Sequence, residues 1–261
     1  MRTFLVCLIA VPLLVMPAAA QNGAAAPTTE SADCLWSYQG PTGPDHWWEI
    51  CPPQNALCEV GKRQSPIVLG TAEPADLPRL GFDYRRTRFT VAEAYGGQEL
   101  QAQAPPDAAE RMYLLVGGES YRLVQFHFHT PCEHCERQEL PLELHLVHHN
   151  EVGEVAVVGV LLEEGAPNAA FQAFVETIPA TGRPGGVAEL QPLDLLPPRR
   201  GYVRYAGSLT TPACAEGVRW HVLEERITVS GPQIARFRSR YPYTARPLQS
   251  REGRPLLRSR D

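Results

Sequence analysis

The chain has almost no long apolar runs. Among its 261 residues only Phe4 to Met16 reads as one, and Pro12 interrupts it. That is short of the ~20 residues a bilayer span needs, and nothing later in the chain supplies a second candidate, so no membrane anchor is expected in the mature form. Arg2 before the run and Ala18-Ala19-Ala20 after it complete the pattern of an export signal over residues 1–20. The mature protein is expected to begin near Gln21, with residues 21–33 as a small, polar, flexible leader. Excess positive charge is also missing. A net charge of −5 argues against a nucleic-acid partner. Internal repeats and low-complexity blocks are absent, and 25 Pro with 21 Gly fall short of a disordered composition while implying many turns and few long helices. Residues 34–250 then form one domain, of a size at which all-β and mixed folds keep a single core. Arg251, Arg254, Arg258 and Arg260 make 251–261 a basic tail, expected to be solvated.

A second CxxC is lacking too. Cys132-Glu133-His134-Cys135 could be half a zinc site, but no other pair completes it. Cys7 leaves with the signal, and six cysteines then enter an oxidising compartment, periplasmic or fully extracellular. An even number there favours disulfides.

What the sequence does hold is alternation. In Leu123–His129 a period of two puts Gln125, His127 and His129 on one face of a strand, with Val124, Phe126 and Phe128 on the other. In Leu142–His148 the same rule groups Glu143, His145 and Val147 against Leu142, Leu144, Leu146 and His148. Glu154–Leu162 is a nearly continuous apolar run and reads as a third buried strand. Helices look short. Phe171, Phe174, Val175 and Ile178 fall on one helical face, and Ser230-Gly-Pro-Gln233 has capping-box spacing. The fold class is mainly β (α+β): a large, twisted, mostly antiparallel sheet with short surface helices.

Histidines at i and i+2 present both imidazoles on the same side, with Cα atoms ~7 Å apart, which suits two ligands of a tetrahedral Zn²⁺. His145 completes a three-nitrogen set if the two strands pair. Three neutral histidines leave the ion its full charge and one position for water, the requirements for making hydroxide near neutral pH. Gln125 precedes His127 by two residues, as Glu143 precedes His145. Such partners hold the other ring nitrogen and fix the tautomer. His46, His148, His149 and His221 read as ordinary core or surface residues.

Gln125-Phe-His-Phe-His129, Glu133-His134 and Glu143-Leu-His-Leu-Val-His148 resemble the signature of the α-carbonic anhydrases. Trp36-Ser-Tyr38, Gly43-Pro-Asp-His-Trp47 and Gly61-Lys-Arg-Gln-Ser-Pro-Ile67 match N-terminal segments of that family. Ser208-Leu-Thr-Thr-Pro212, Val218-Arg-Trp220 and Arg246-Pro-Leu-Gln249 match its C-terminal half, in family order over about 215 residues. The resemblance implies a Zn²⁺ lyase, with zinc held by His127, His129 and His145 at the bottom of a conical cavity. Zinc hydroxide would hydrate CO₂ reversibly to bicarbonate and a proton, with weak ester hydrolysis on the side. It implies that Thr210 donates to Glu133 and orients the nucleophile, that Thr211 helps hold bicarbonate, and that Val147, Val157, Leu209 and Trp220 form the apolar wall for CO₂. For Val157 an ordinary core role is an equal reading. His134 and Tyr205 would belong to the network behind Glu143. Cys58 and Cys214 resemble the family's common disulfide; for the other four cysteines Cys34–Cys51 and Cys132–Cys135 are the expected pairings, with the alternatives among them open.

The chain also departs from that pattern. Aligning Phe89-Thr-Val91 with the family's aromatic-x-Val segment puts Thr87 where fast members carry a proton-relaying histidine, and threonine cannot titrate near pH 7. Thr244 replaces a usual asparagine, and His221 a usual aliphatic residue. Two other classes fit less well: a silent binding module, which would be expected to have lost a zinc histidine, and a zinc-dependent esterase or phosphatase. Monomer and homodimer are both open.

Overall fold

The alternating segments become the middle of one sheet. A computed structural model describes residues 34–260 except 110, 111 and 138. The export signal at 1–20 and the leader at 21–33 lie outside the described residues. Five strands, β1 Glu73–Ala75, β2 Gly81–Asp83, β3 Thr87–Ala94, β4 Glu99–Gln103 and β5 Tyr113–Val116, precede the longest, β6 Glu119–His129. After it come β7 Leu142–His149, β8 Val155–Glu164, β9 Gly185–Leu190 and β10 Tyr202–Ser208. The last are β11 Glu216–Leu223, β12 Ile227–Val229 and β13 Leu257–Ser259. Along the sheet the order is β1-β13-β10-β11-β8-β7-β6-β4-β3-β9. The pairings β1–β13, β8–β11 and β8–β12 are parallel and the others antiparallel. The sheet is therefore mixed but mostly antiparallel, as expected.

One face carries the main core. Phe126 and Phe128 of β6, Leu142, Leu144 and Leu146 of β7, and Val158 and Val160 of β8 pack with Phe171, Phe174, Ile234 and Phe237 from two short helices. These helices are Ala169–Val175, capped by the Asn168 side chain accepting from Phe171 N at 2.9 Å, and Gly231–Arg238, where Gln233 Oε1 accepts from Ser230 N at 2.9 Å. Each large side chain buried there contributes roughly 1.5–3 kcal/mol. A one-residue slip of β6 would exchange these phenylalanines for histidines, so the register is strongly held.

Three expectations change. A register shift between Leu123 and Gln125 marks a bulge at Val124, so Leu123 rather than Val124 joins Phe126 in the core. The basic segment 251–260 is not a solvated tail. Leu256 is fully buried, β13 pairs with β10, and Arg254 donates to Ala206 O (3.0 Å), Gln64 O (2.8 Å) and Ser250 O (2.7 Å). A guanidinium fork can satisfy several backbone carbonyls at once, which is why so basic a stretch closes a sheet edge.

Thr87 is the third. It opens β3, yet the strand beside β6 is β4, with Gln101 opposite His127. Thr87 pairs with Leu190 and shares the core-side face with Phe89 and Val91. Gly97 and Gln98 lead into the strand that pairs with β6, and neither is a histidine.

All three disulfides are formed: Cys34–Cys51, Cys58–Cys214 and Cys132–Cys135.

Candidate metal centre

β6 and β7 pair so that His127 stands opposite His145, His129 opposite Glu143, and Gln125 opposite Val147. The two polar faces read from alternation thus become one surface. Ligand nitrogens of His127, His129 and His145 lie within 4.8 Å of one another, on buried side chains. Each ring gives one nitrogen to the protein. His127 Nδ1 meets Gln125 Oε1 at 2.9 Å, His129 Nδ1 meets the carbonyl of Thr244 at 2.6 Å, and His145 Nε2 meets Glu143 Oε1 at 2.9 Å. Those oxygens only accept, so the facing nitrogens carry the protons. The remaining nitrogens then offer bare lone pairs, and His127 Nε2 and His129 Nε2 face each other at 3.0 Å. Two lone pairs so placed need a cation between them. The residues fit a divalent metal on this ground. Burial lowers all three pKa values, His127 well below the usual imidazole range and His129 to about 3, which keeps the rings in the neutral, ligating form. Thr244 acts through its backbone carbonyl, so the departure from asparagine leaves this contact intact.

Behind His145 the carboxylate of Glu143 is fully used. Its Oε2 accepts from Glu133 N and His134 N, both at 2.8 Å, and its Oε1 meets His134 Nδ1 at 2.6 Å as well as His145. Burial alone would raise its pKa, but His134 and His145 outweigh that and hold it well below the carboxylate range. The network continues from His134 Nε2 to Tyr205 Oη at 2.6 Å, and Tyr205 donates to Ser65 Oγ at 2.9 Å. His134, Glu143 and His145 also sit within ligand distance of one another, but their contacts are hydrogen bonds that already fill the space. Glycine makes room for this packing. A Cβ on Gly207 would overlap Ser65 Oγ and come within 2.7 Å of the Tyr205 ring and 2.9 Å of the Trp220 ring.

Beside Glu143, Glu133 Oε1 accepts from Arg246 N at 2.7 Å. Burial first, and the charge of Glu143 second, push the Glu133 pKa well up, while Arg246 N–H and the Thr210 hydroxyl pull it down. Glu133 Oε2 has no partner of full hydrogen-bond geometry, so the Thr210 contact is a loose one. Such contacts commonly tighten only once the reacting groups are bound. Thr210 and Thr211 are buried, in a loop held by Cys214 N donating to Thr211 O at 2.8 Å and by the Cys58–Cys214 disulfide. Val147, Val157 and Trp220 belong to one apolar cluster with Leu209 packed against it, and Val157 stands opposite both Val147 and Trp220. Val157 is thereby on the histidine face.

The other histidines behave as ordinary residues. His148 lies on the core side, bonded to Tyr84 Oη at 2.5 Å and the Ala156 carbonyl at 3.2 Å. His221 is buried on the same side, beside the Tyr202 ring and without a partner at Nδ1. His46 and His149 are exposed.

Two residues escaped the sequence reading as site members. Tyr38 and Glu99 are buried, and their Oη and Oε2 atoms join Glu133 Oε2 among the few buried side-chain polar atoms without a partner. The Tyr38 ring is 6.5 Å from that of His129, and Glu99 Oε2 is 3.4 Å from His127 Nε2. Burial pushes Glu99 up to about 7. The available signal was Glu99-Leu-Gln-Ala-Gln103, which alternates polar and apolar just as Gln125–His129 does.

Comparison with known proteins agrees with this geometry. A family model described as eukaryotic-type carbonic anhydrase matches residues 42–259. A carbonic anhydrase of Nostoc sp. is 34% identical over 229 residues, covering 85% of each chain. The α-carbonic anhydrase of Thermovibrio ammonificans, solved with the inhibitor sulfanilamide, superposes with a TM-score of 0.78 at 34% identity, over 86% of this chain and 99% of that one. Dioscorin, solved in complex with ascorbate, gives 0.77 at 28% identity, over 85% of this chain and 97% of its own. With the model matched along nearly the whole described chain and relatives this close, the protein belongs to the eukaryotic-type, or alpha, carbonic anhydrases, lyases that hydrate CO₂.

Proposed function

We propose that this chain is an exported, zinc-dependent carbonic anhydrase, with His127, His129 and His145 as the zinc ligands. One observation carries the reading: three neutral imidazoles each give one nitrogen to a protein acceptor and turn the other toward a common centre. When bound, Zn²⁺ brings the pKa of a coordinated water to about 7, a value that comes from carbonic anhydrase itself and not from this chain, and so supplies hydroxide at neutral pH.

The chain's own residues do the rest. Gln125, the Thr244 carbonyl and Glu143 fix the three tautomers, and His134, Tyr205 and Ser65 brace Glu143 from behind. Val147, Val157, Leu209 and Trp220 give CO₂, a ligand with no strong hydrogen-bonding group, an apolar surface beside the centre. The Thr210 hydroxyl donates to Glu133, which leaves it only a lone pair toward the nucleophile and so selects one orientation. That role needs Glu133 ionised, and a nearby dication favours the ionised form. Thr211 helps hold the product bicarbonate. Weak ester hydrolysis follows from the same nucleophile in a site shaped for a much smaller substrate.

Stopped-flow CO₂ hydration with and without a zinc chelator tests the reading. Activity lost on chelation and restored by zinc is expected. A zinc-loaded protein with no hydration activity would instead place the chain with binding modules. Three disulfides support export, and fractionation of the source cells tests it.

A further inference from the structure

We propose that Glu99 is a flanking carboxylate of the metal site, which strengthens divalent-cation binding and weakens the binding of anions at the open coordination position. This rests on the reading of His127, His129 and His145 as metal ligands.

Glu99 is 2% exposed, and carrying a carboxylate so far from water is costly unless a partner compensates. Its Oε1 accepts from Gln101 Nε2 at 2.6 Å, and Gln101 Oε1 in turn accepts from Gln103 Nε2 at 2.6 Å. This ladder along β4 fixes one oxygen and leaves Oε2 turned to the histidines. Oε2 has no hydrogen-bond partner. Among the described residues, the only basic side chain within ion-pair distance of Glu99 is His127, 3.4 Å away through Nε2. That nitrogen offers a lone pair, because the ring proton sits on Nδ1 against Gln125. With Glu99 ionised, two acceptors face each other with nothing to donate, and a cation reconciles them. The register agrees: the ladder ends with Gln101 opposite His127, and continuing its direction by two residues on each strand leads to Glu99 and His129.

Glu99 flanks the centre and does not fill it. Its oxygen is not among the ligand atoms that lie within 4.8 Å of one another. The position facing substrate therefore stays open, beside a carboxylate that a bound dication would keep ionised. Such a charge attracts the divalent ion and repels bicarbonate and other small anions that would settle on the metal.

The test compares wild type with Glu99→Gln and Glu99→Ala. Zinc affinity is read by chelator competition, and thiocyanate affinity from the visible spectrum of the cobalt-substituted protein. Both variants should bind zinc about 10–100-fold more weakly, the usual effect of losing a group that supports a metal site. They should bind thiocyanate about tenfold more tightly. The metal-free melting temperature should stay level or rise, because a buried, half-satisfied carboxylate has been removed. Unchanged zinc affinity, unchanged thiocyanate affinity, or a fall in the metal-free melting temperature in both variants would each overturn the assignment. Wild type that binds no zinc would instead sink the three-histidine reading itself.

Discussion

Replacing Glu143 by glutamine exchanges one carboxylate oxygen for an NH₂ group at a point where both oxygens already accept. If the NH₂ turns toward the backbone, the N–H groups of Glu133 and His134, each now at 2.8 Å from Oε2, face another donor. Two buried donors lose their acceptor at about 1–3 kcal/mol each, or about 2–6 kcal/mol together. If it turns toward the rings, His145 Nε2 must give up its proton to Nδ1, the nitrogen that points to the metal centre, and a ligand is lost. Both orientations weaken zinc, by about 10–100-fold on the usual scale for a ligand's hydrogen-bond partner. The sign with pH follows from the depressed Glu143 pKa. Its stabilisation is present above the unfolded value of about 4.3 and is lost as pH falls toward the lower folded value. The difference between wild type and Glu143→Gln should thus be full at pH 7 and shrink below pH 4. Chelator competition at pH 7, with urea unfolding at pH 7 and at pH 3.5, measures both parts. A variant with wild-type zinc affinity and wild-type stability at pH 7 would refute the assignment of Glu143 as the group that fixes the His145 tautomer.

Gly207→Ala should cost about 1–3 kcal/mol by overpacking against Ser65, Tyr205 and Trp220, read by urea unfolding. The double variant Cys58→Ser with Cys214→Ser removes a crosslink spanning 156 residues and should lose about 2–5 kcal/mol, with hydration activity falling as the Thr210 loop loosens. His221→Val should stabilise the protein at pH 7 by about 1–3 kcal/mol, since it removes a buried ring whose Nδ1 has no partner. Burial holds the His221 pKa down to about 4, so its neutral form favours folding above pH 6.5 and that contribution is lost as pH falls toward 4; the valine variant should show a flatter loss of stability across that window. Neither Thr87 nor Gln98 can titrate near neutrality, so kcat should be low in dilute buffer and rise with added imidazole. A buffer-independent kcat that His149→Ala abolishes would put a relay at that exposed residue, on the same face of β7 as His145.

The local part of the site was open to a reader of the sequence. Alternation alone put Gln125 with His127 and His129, and Glu143 with His145, because strand geometry assigns alternate residues to opposite faces wherever a strand is regular. It failed at Val124, where one extra residue shifts the phase. The pairing of His127 with His145 was conditional on two strands meeting, and the Thr244 carbonyl comes from 115 residues beyond His129. No local pattern encodes such a distance. The basic end of the chain misled for a related reason. Arginine is counted as a surface charge, yet Arg254 spends its donors on carbonyls of segments remote in sequence.

The displacement of Thr87 has the same physical root, and it bears on function. Two neighbouring strands, Phe89-Thr-Val91 and Leu100-Gln-Ala102, alternate apolar and polar residues in the same way, and only hydrogen-bond register decides which lies against β6. Choosing the wrong one displaces the row beside the histidines by a whole strand. The choice made by the fold replaces an inert threonine with a polar row, Glu99, Gln101 and Gln103, directly beside the ligand strand. The proposed ligand pair His127 and His129 could be read from spacing because both sit on one strand. Glu99, proposed to tune it, sits on the neighbouring strand, so strand-to-strand register, and not spacing, places that carboxylate beside His127.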